Sequence, residues 1–347
     1  MSLAYFAPTP SGGGGNAAWG AQEQVSLAYF APTPSGGGGN AAWGAREQMS
    51  LAYFAHTPSG APATPPGRVL VPGRAVSLPC LPLLRPAGPL PTGVAAAMSL
   101  RAGGVSAAPY DGLNLSPGVG DDALAVRSNR ERFAAALGAA PVWMRQVHGV
   151  QVLRLLAGAG LAALPTADAA WTTERGLACT VGAADCMPVL FALRDGSAVA
   201  AAHAGWRGLA GGVLQATVQA LCGGSGAQPQ DCLAWMGPCI GPRHFEVGDD
   251  VLAAFGVAAD GSDRSDGSDT SDGPDESDSR CFVPSQASDG RRRWLANLPA
   301  LARRRLCQAG VRDISDAGRC TYSDPSSFFS FRRDGVTGRH AACIWRL

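Results

Sequence analysis

Beyond about residue 90, apolar positions fall into runs of strand length, separated by stretches with helical spacing. "GVAAAMSLR" (93–101) predicts a strand. "DDALAVRSNRERFAAALG" (121–138) predicts an amphipathic helix opened by Asp121 or Asp122 and closed by Gly138. "VWMRQVHGVQVLRLL" (142–156) reads as a strand, a turn at His148-Gly149 and a second strand. "LACTVGAADCMPVLFAL" (177–193) and "SAVAAAHAG" (197–205) are apolar runs of strand type. Pro188 cannot donate to a central ladder, so the first of these runs should be interrupted there. "GLAGGVLQATVQALC" (208–222) has the spacing of one helix, "CLAWMGPCI" (232–240) of a short strand and "VGDDVLAAFG" (247–256) of a helix. "NLPALARRRLCQAG" (297–310) predicts a helix with Asn297 as N-cap and Gly310 beyond its end, and "HAACIWRL" (340–347) a closing strand. Strands and helices interleave, yet several strands are adjacent in sequence. The expected class is α+β, with mixed β-sheets and helices packed outside in a single globular domain.

The first hundred residues break this rhythm. "SLAYFAPTPSGGGGNAAWGAQEQV" (2–25) recurs almost unchanged at 26–49, and a third copy starts at Ser50 and fades. Solenoid repeats diverge while keeping core positions, whereas these kept everything, including Gly and Pro. The expected organisation is a disordered tandem repeat over 1–60, a Pro-rich linker over 61–83 and the folded domain over 84–347. "DGSDRSDGSDTSDGPDESDSR" (260–280) alternates Asp and Ser with almost nothing apolar. Its spacing matches neither an EF-hand loop nor a calcium-binding nonapeptide, so a solvated surface insertion is expected.

Composition narrows the class. Of 347 residues, 46% are hydrophobic and 16% charged, and the formal net charge is +1. A sizeable core is available, and nothing in the charge balance calls for nucleic acid or an acidic membrane. No apolar run is long enough for a transmembrane helix, and "MSLAYFAPTP" lacks the basic and apolar regions of a signal peptide. The ten cysteines are scattered, which suits reduced thiols and a cytoplasmic location.

Among five histidines, His56 falls in the repeats. His148 and His203 sit where regular structure should stop, and so does Cys186 in "GAADCMP". Two imidazoles and a thiolate form a three-ligand set for zinc with a fourth position open. Read from the sequence alone this set is weak, and three unrelated structural residues are the default reading, since they lie far apart in the chain.

"RQVHG", "ADCMPVLF", "AAAHAGWRG", "MGPCIGPRHFEVG" and "CTYSDPSSFFSFRRDGVTGR" occur in this order, with "RAGGVSAAPYDGLNL" before them. Together they resemble the bacterial purine nucleoside phosphorylase family related to laccase-domain proteins, formerly labelled multicopper polyphenol oxidase and also linked to peptidoglycan editing. The similarity runs from about Leu84 to Leu347, interrupted at the Asp/Ser insertion. The resemblance implies a single zinc ion on His148, Cys186 and His203, which would then be the catalytic group. It also implies phosphorolysis of adenosine, inosine, guanosine and methylthioadenosine, with deamination of adenosine as a second activity. Purine nucleosides and inorganic phosphate would be the partners. Arg130, in "SNRERF", matches a family arginine suited to phosphate, with Arg101 the second choice. Each is also readable as a surface ion-pair partner. Asn114 can bond ribose or cap a turn, and Trp206 can wall the pocket or pack the core. Asp185 reads as a neighbour that orients the ligands, or as a turn residue.

Two other readings stand beside this one. A His₂Cys set with Met187 adjacent suggests a copper oxidoreductase, although five histidines without an H-x-H pair are too few for a multicopper centre. The third is a hydrolase editing a peptidoglycan precursor. The H-x-E…P-C-x-x-C pattern of cytidine-type deaminases is absent.

Overall fold

The computed structural model describes residues 69–71, 74–76, 81–158, 164–258, 260, 277–286 and 291–347. The repeats at 1–60 and most of the Asp/Ser insertion lie outside these residues. The strands, in chain order, are β1 (Val69–Val71), β2 (Arg74–Val76), β3 (Leu83–Leu84), β4 (Val94–Ser99), β5 (Ala140–Val142), β6 (Val152–Arg154), β7 (Ala169–Thr172) and β8 (Leu177–Ala183). They continue with β9 (Met187–Leu193), β10 (Val199–Ala204), β11 (Cys232–Met236), β12 (Glu246–Val247), β13 (Phe282–Gln286), β14 (Arg292–Ala296), β15 (Asp313–Asp316) and β16 (His340–Arg346). The helices are α1 (Ala123–Leu137), α2 (Trp206–Gly211), α3 (Val213–Ser225), α4 (Asp249–Ala254), α5 (Leu298–Gln308) and α6 (Phe331–Asp334). No described helix is long and apolar enough to cross a membrane.

Two larger sheets stack in the middle. One has the order β15-β11-β9-β10-β7-β6 and the other β3-β4-β16-β8-β5. Both are mixed: β11–β15, β6–β7 and β5–β8 pair parallel, and the remaining neighbours antiparallel. Even residues of β9 (Leu190, Ala192) and odd residues of β10 (Val199, Ala201) meet Ala96, Val181, Ala342 and Ile344 between the sheets. Odd residues of β9 (Val189, Phe191, Leu193) face the helices, with Leu209, Leu214, Leu221 and Leu301. The outer face of the second sheet is covered by Phe133 and Leu137 of α1. The order of layers is therefore helices, sheet, sheet, helix. A strand covered on both faces has no reason to alternate, which explains why β9 is apolar throughout and β10 is apolar up to His203. The fold is α+β with mixed sheets and outer helices, as the pattern predicts.

Several helix ends follow their sequence signals. Asp122 caps α1 by accepting from the Ala125 N–H at 2.8 Å, and Gly138 closes it with φ 65°. Asn297 caps α5 through the Ala300 N–H at 3.1 Å. The single helix expected over 208–222 is instead two, α2 and α3. Gly212 lies between them at φ 95°, a left-handed conformation that an L side chain adopts only with strain.

Three further expectations need correction. The run 142–156 is not a hairpin. Its first strand, β5, ends at Val142 and joins the sheet of β8, while β6 joins β7 in the other sheet, so His148 lies in a crossover between sheets. Pro188 does not interrupt its strand; the break comes earlier, at Ala184–Cys186, and Pro188 pairs with His203 inside β9. The insertion is not solvated to its end either. Asp278 is buried and holds Arg304 at 2.7 Å and Arg305. At the other boundary Leu81, on the linker side of residue 84, packs into the core beside Ala97 and Phe133.

Candidate metal centre

The site forms where four chain segments converge at one end of the first sheet. His203 is the penultimate residue of β10. The register His203↔Pro188 and Ala204↔Met187, carried one step further, sets Cys186 opposite Gly205. The β8–β9 corner that carries Cys186 turns at Asp185, whose φ is 87°. Its carboxylate accepts from Thr321 Oγ1 at 2.6 Å and from the Arg332 N–H at 2.7 Å, tying the corner to the 320–332 segment. His148 arrives on the crossover, with φ 60°.

Asp168, one residue before β7, organises the rest. Its Oδ1 accepts from His203 Nδ1 and from the His148 N–H, both at 2.9 Å. Its Oδ2 accepts from the Gly149 N–H at 2.8 Å and the Val147 N–H at 3.1 Å. One buried carboxylate thus shapes the loop that carries one imidazole and orients the ring of the other. With Nδ1 bound to Asp168, His203 offers Nε2 as its ligand atom.

The ligand atoms of His148, Cys186 and His203 all lie within 4.8 Å of one another. Cys186 Sγ is 3.7 Å from His148 Nε2, and the two imidazoles meet edge to face with centroids 4.8 Å apart. Zinc–nitrogen and zinc–sulfur bonds of about 2.0 and 2.3 Å imply a tetrahedral edge of roughly 3.5 Å, so the trio fits such an ion with small adjustments. Gly205 is part of the fit. A Cβ there would stand 2.7 Å from His148 Cδ2 and 2.9 Å from Cys186 Sγ. Burial alone pushes the Cys186 thiol up, but the neighbouring His203 and His148 imidazoles more than reverse this and favour thiolate. For His203, burial works against the charged form and is outweighed by the Cys186 and Asp168 charges, which raise its pKa. Metal binds thiolate and neutral imidazole, so an ion at the trio would displace the proton that Cys186 and Asp168 hold on His203. Among the described residues this is the one group of three or more His, Cys, Asp or Glu side chains arranged to hold an ion.

The structure thus brings together the three residues singled out as ligands. None of the four candidate substrate residues hydrogen-bonds to the trio. Arg130 donates from Nε to the Leu115 carbonyl at 2.8 Å and lies 4.0 Å over the Trp143 ring. Burial lowers its pKa to about 10, and no ion pair with a described carboxylate accompanies it. Asn114 is fully buried. Its amide donates to the Ser116 carbonyl and Asp121, and its oxygen accepts from the N–H groups of Ser116 and Arg339. Arg101 pairs with Asp111 at 2.7 Å and sits 5.0 Å over Phe329. Trp206 begins α2, half-buried against the helical core, with Arg207 stacked 4.2 Å above it. Met187, which suggested a copper ligand, is fully buried in the core with Val189 and Phe191.

Residues 95–347 match the family described as multi-copper polyphenol oxidoreductase laccase. A Pseudomonas aeruginosa protein named purine nucleoside phosphorylase is 46% identical over 262 residues, covering 76% of this chain and 97% of that protein. Purine nucleoside phosphorylase YfiH of Escherichia coli is 45% identical over 267 residues, covering 76% and 99%. Among solved structures, a Neisseria meningitidis protein matches with a TM-score of 0.66 at 40% identity, covering 76% of this chain and 98% of that one. YlmD from Geobacillus stearothermophilus matches with a TM-score of 0.65 at 30% identity, covering 81% and 99%.

Proposed function

The chain belongs to the multi-copper polyphenol oxidoreductase laccase family, and on that premise we propose that it is a zinc-dependent purine nucleoside phosphorylase that also deaminates adenosine. The observation that carries this reading is the trio itself, a thiolate and two imidazoles that Asp168 holds in place, in a chain whose relatives bear that name. His148, Cys186 and His203 would hold the ion. When bound, zinc supplies a Lewis acid that polarises oxygen and acidifies water to a pKa of about 7.

The chain's own residues supply the rest. Asp168 keeps the His203 ring from turning. Gly205, lacking a Cβ, lets His148 and Cys186 pack against its backbone. The corner at Asp185, anchored through Thr321 and Arg332, keeps Cys186 in place. We assign Arg130 to phosphate: its guanidinium is preoriented by Trp143 and the Leu115 carbonyl and has no described carboxylate partner, so an oxyanion would complete its electrostatics. In phosphorolysis a phosphate oxygen forms a bond to the sugar C1′ as the bond from C1′ to the base nitrogen breaks. The electron pair leaves with the base, which takes up a proton. In deamination water adds at the purine C6 and ammonia departs. The two reactions share the nucleoside but differ in their need for phosphate.

A copper polyphenol oxidoreductase is the reading that the family description favours. Against it, the chain has five histidines and no H-x-H pair of the kind a multicopper centre uses. Purified protein with quantified metal, assayed on inosine and adenosine with and without phosphate and then on phenols with added copper, separates the readings. Phosphate-dependent release of hypoxanthine supports the proposal. Phenol oxidation with no action on nucleosides overturns it.

A further inference from the structure

Arg339 stands one residue before β16, in which His340 pairs with Ala183. Carrying that register one step outward sets Arg339 opposite Ala184, at the corner that bears Asp185 and Cys186. Its backbone is held on both sides. The N–H donates to Asn114 Oδ1 at 2.9 Å, and the carbonyl accepts from the Leu115 N–H at 3.1 Å. The buried amide of Asn114, saturated with protein partners, therefore positions this arginine.

The guanidinium is fixed as well. Nη1 donates to the Thr337 and Gly338 carbonyls at 2.9 and 3.0 Å, and Cζ lies 5.5 Å from the Phe331 ring. Two carbonyls set its direction without neutralising its charge. Arg101, Arg319 and Arg333 on the neighbouring segments are each paired with a carboxylate, of Asp111, Asp324 and Asp334 respectively. Arg339 has no such ion pair among the described residues. With Nη1 occupied, the Nε–Nη2 edge remains, and that is an edge through which a guanidinium grips an oxyanion with two parallel hydrogen bonds. Burial lowers the pKa of this group, and Cys186, Asp185 and Tyr110 oppose the fall, in keeping with its register position opposite the corner that carries Cys186. The residue is half-buried, and an unneutralised charge so placed is costly unless an anion joins it.

We propose that Arg339 holds the oxyanion co-substrate, inorganic phosphate, beside the His148–Cys186–His203 trio through its Nε–Nη2 edge. This rests on the phosphorylase reading above and adds a second cation to Arg130. The two arginines are braced on the same residue, Arg130 on the Leu115 carbonyl and Arg339 on its N–H. An oxyanion gripped in this way presents a free oxygen to C1′.

The test uses the metal-loaded full-length protein, with inosine phosphorolysis followed over a range of phosphate concentrations. Arg339→Gln should raise the KM for phosphate about tenfold to a hundredfold while leaving the KM for inosine and the metal content nearly unchanged. The rise in melting temperature that inorganic phosphate gives the wild type should disappear. Arg339→Lys keeps a charge without the fork and should recover part of both. An unchanged phosphate KM with unchanged phosphate stabilisation would overturn the assignment. So would a loss shared equally by both substrates and by metal content, which marks a purely structural role. Adenosine 5′-monophosphate is the second probe. Stabilisation by it and not by inorganic phosphate would give the fork to a nucleotide and reject the co-substrate site. Failure of the phosphorylase reading looks different: the wild type itself would release no hypoxanthine at any phosphate concentration.

Discussion

The Asp168 carboxylate and the His203 imidazole meet at 2.9 Å, with both side chains buried. The same carboxylate accepts three backbone N–H groups of the loop that carries His148, so one side chain governs two of the three proposed ligands. Partners of this kind typically matter tenfold to a hundredfold in metal affinity. Asp168→Ala should lower zinc affinity by about that factor, measured by competition with a chromophoric chelator. It should also lower the melting temperature of the metal-free protein, because the N–H groups of Val147, His148 and Gly149 lose their acceptor. Asp168→Asn keeps one acceptor oxygen and should fall between. Unchanged affinity in both variants would reduce Asp168 to a loop-shaping residue.

Cys186 supplies the one thiolate of the set, the strongest single ligand of the three. Cys186→Ala should abolish stoichiometric zinc, as read by elemental analysis, along with both nucleoside reactions, while the helical circular dichroism stays unchanged. His148→Ala and His203→Ala should follow it. Full zinc occupancy and full activity in the cysteine variant would remove Cys186 from the centre.

Gly205 tests whether the trio is as closely built as its distances say. A Cβ at 2.7 Å from His148 Cδ2 and 2.9 Å from Cys186 Sγ must displace one of these ligands. Gly205→Ala should therefore weaken metal binding and activity together, with little loss of secondary structure. Gly223, inside α3, has nothing within 4 Å of its would-be Cβ. Gly223→Ala should be neutral, or stabilising by up to about 1 kcal/mol through helix propensity and unfolded-state entropy. Equal metal content in the two variants would contradict the reading of Gly205.

The legibility of these features differs for physical reasons. Helix α1 could be read because both of its caps are local signals, Asp122 and Gly138, lying on the helix they bound. The trio could be proposed because ligand chemistry is written in residue type, and Cys186 and His203 fall where strands end, while His148 lies in the crossover. Asp168 could not be found in this way. Its role depends on four partners, Val147 to Gly149 and His203, that only the crossover and the β7–β10 pairing bring near. The faint local signal was an acidic residue entering the apolar run "ADAAW". The hairpin expected at His148-Gly149 failed for the same reason, since the N–H groups of that turn bond to a carboxylate about twenty residues away and not to a ladder. Arg339 carries no local signal, since its backbone is held by Asn114 and Leu115, more than 200 residues earlier in the chain.

His340 carries a pH prediction. Its ring lies against Phe328 and Phe329, and Nε2 accepts from the Phe329 N–H at 2.7 Å. Burial pushes its pKa down to about 3, with the charges of Arg101, Arg339 and Arg333 pushing the same way. The folded pKa lies below the unfolded value of about 6.5, so the ring is neutral in both states at higher pH. As pH falls from 6.5 toward 3, the unfolded chain takes up a proton that the fold refuses, and stability drops. His340→Gln retains an acceptor for the Phe329 N–H but does not ionise. It should be less stable at pH 7, and the gap in melting temperature should narrow toward pH 4.5. Parallel pH profiles for the two proteins would show that His340 contributes nothing to acid sensitivity.

Arg130 separates the two reactions assigned to one pocket. Its guanidinium, stacked over Trp143 and bonded to the Leu115 carbonyl, is assigned to phosphate, which only phosphorolysis consumes. Losing a charge-assisted contact is worth about 1.5–3 kcal/mol, and each 1.4 kcal/mol is about tenfold in rate. Arg130→Ala should therefore slow hypoxanthine release from inosine by about tenfold to a hundredfold and raise the phosphate requirement. Conversion of adenosine to inosine, which needs no phosphate, should be spared. Because the side chain also packs on Trp143, Arg130→Gln serves as a second variant that keeps most of the stem and removes the charge. It should show the same split between the reactions with a smaller change in melting temperature. An equal loss of both reactions would mean that Arg130 supports the pocket through Trp143 and Leu115. No loss in either would leave it a packing residue on α1 and remove phosphate binding from that side of the site.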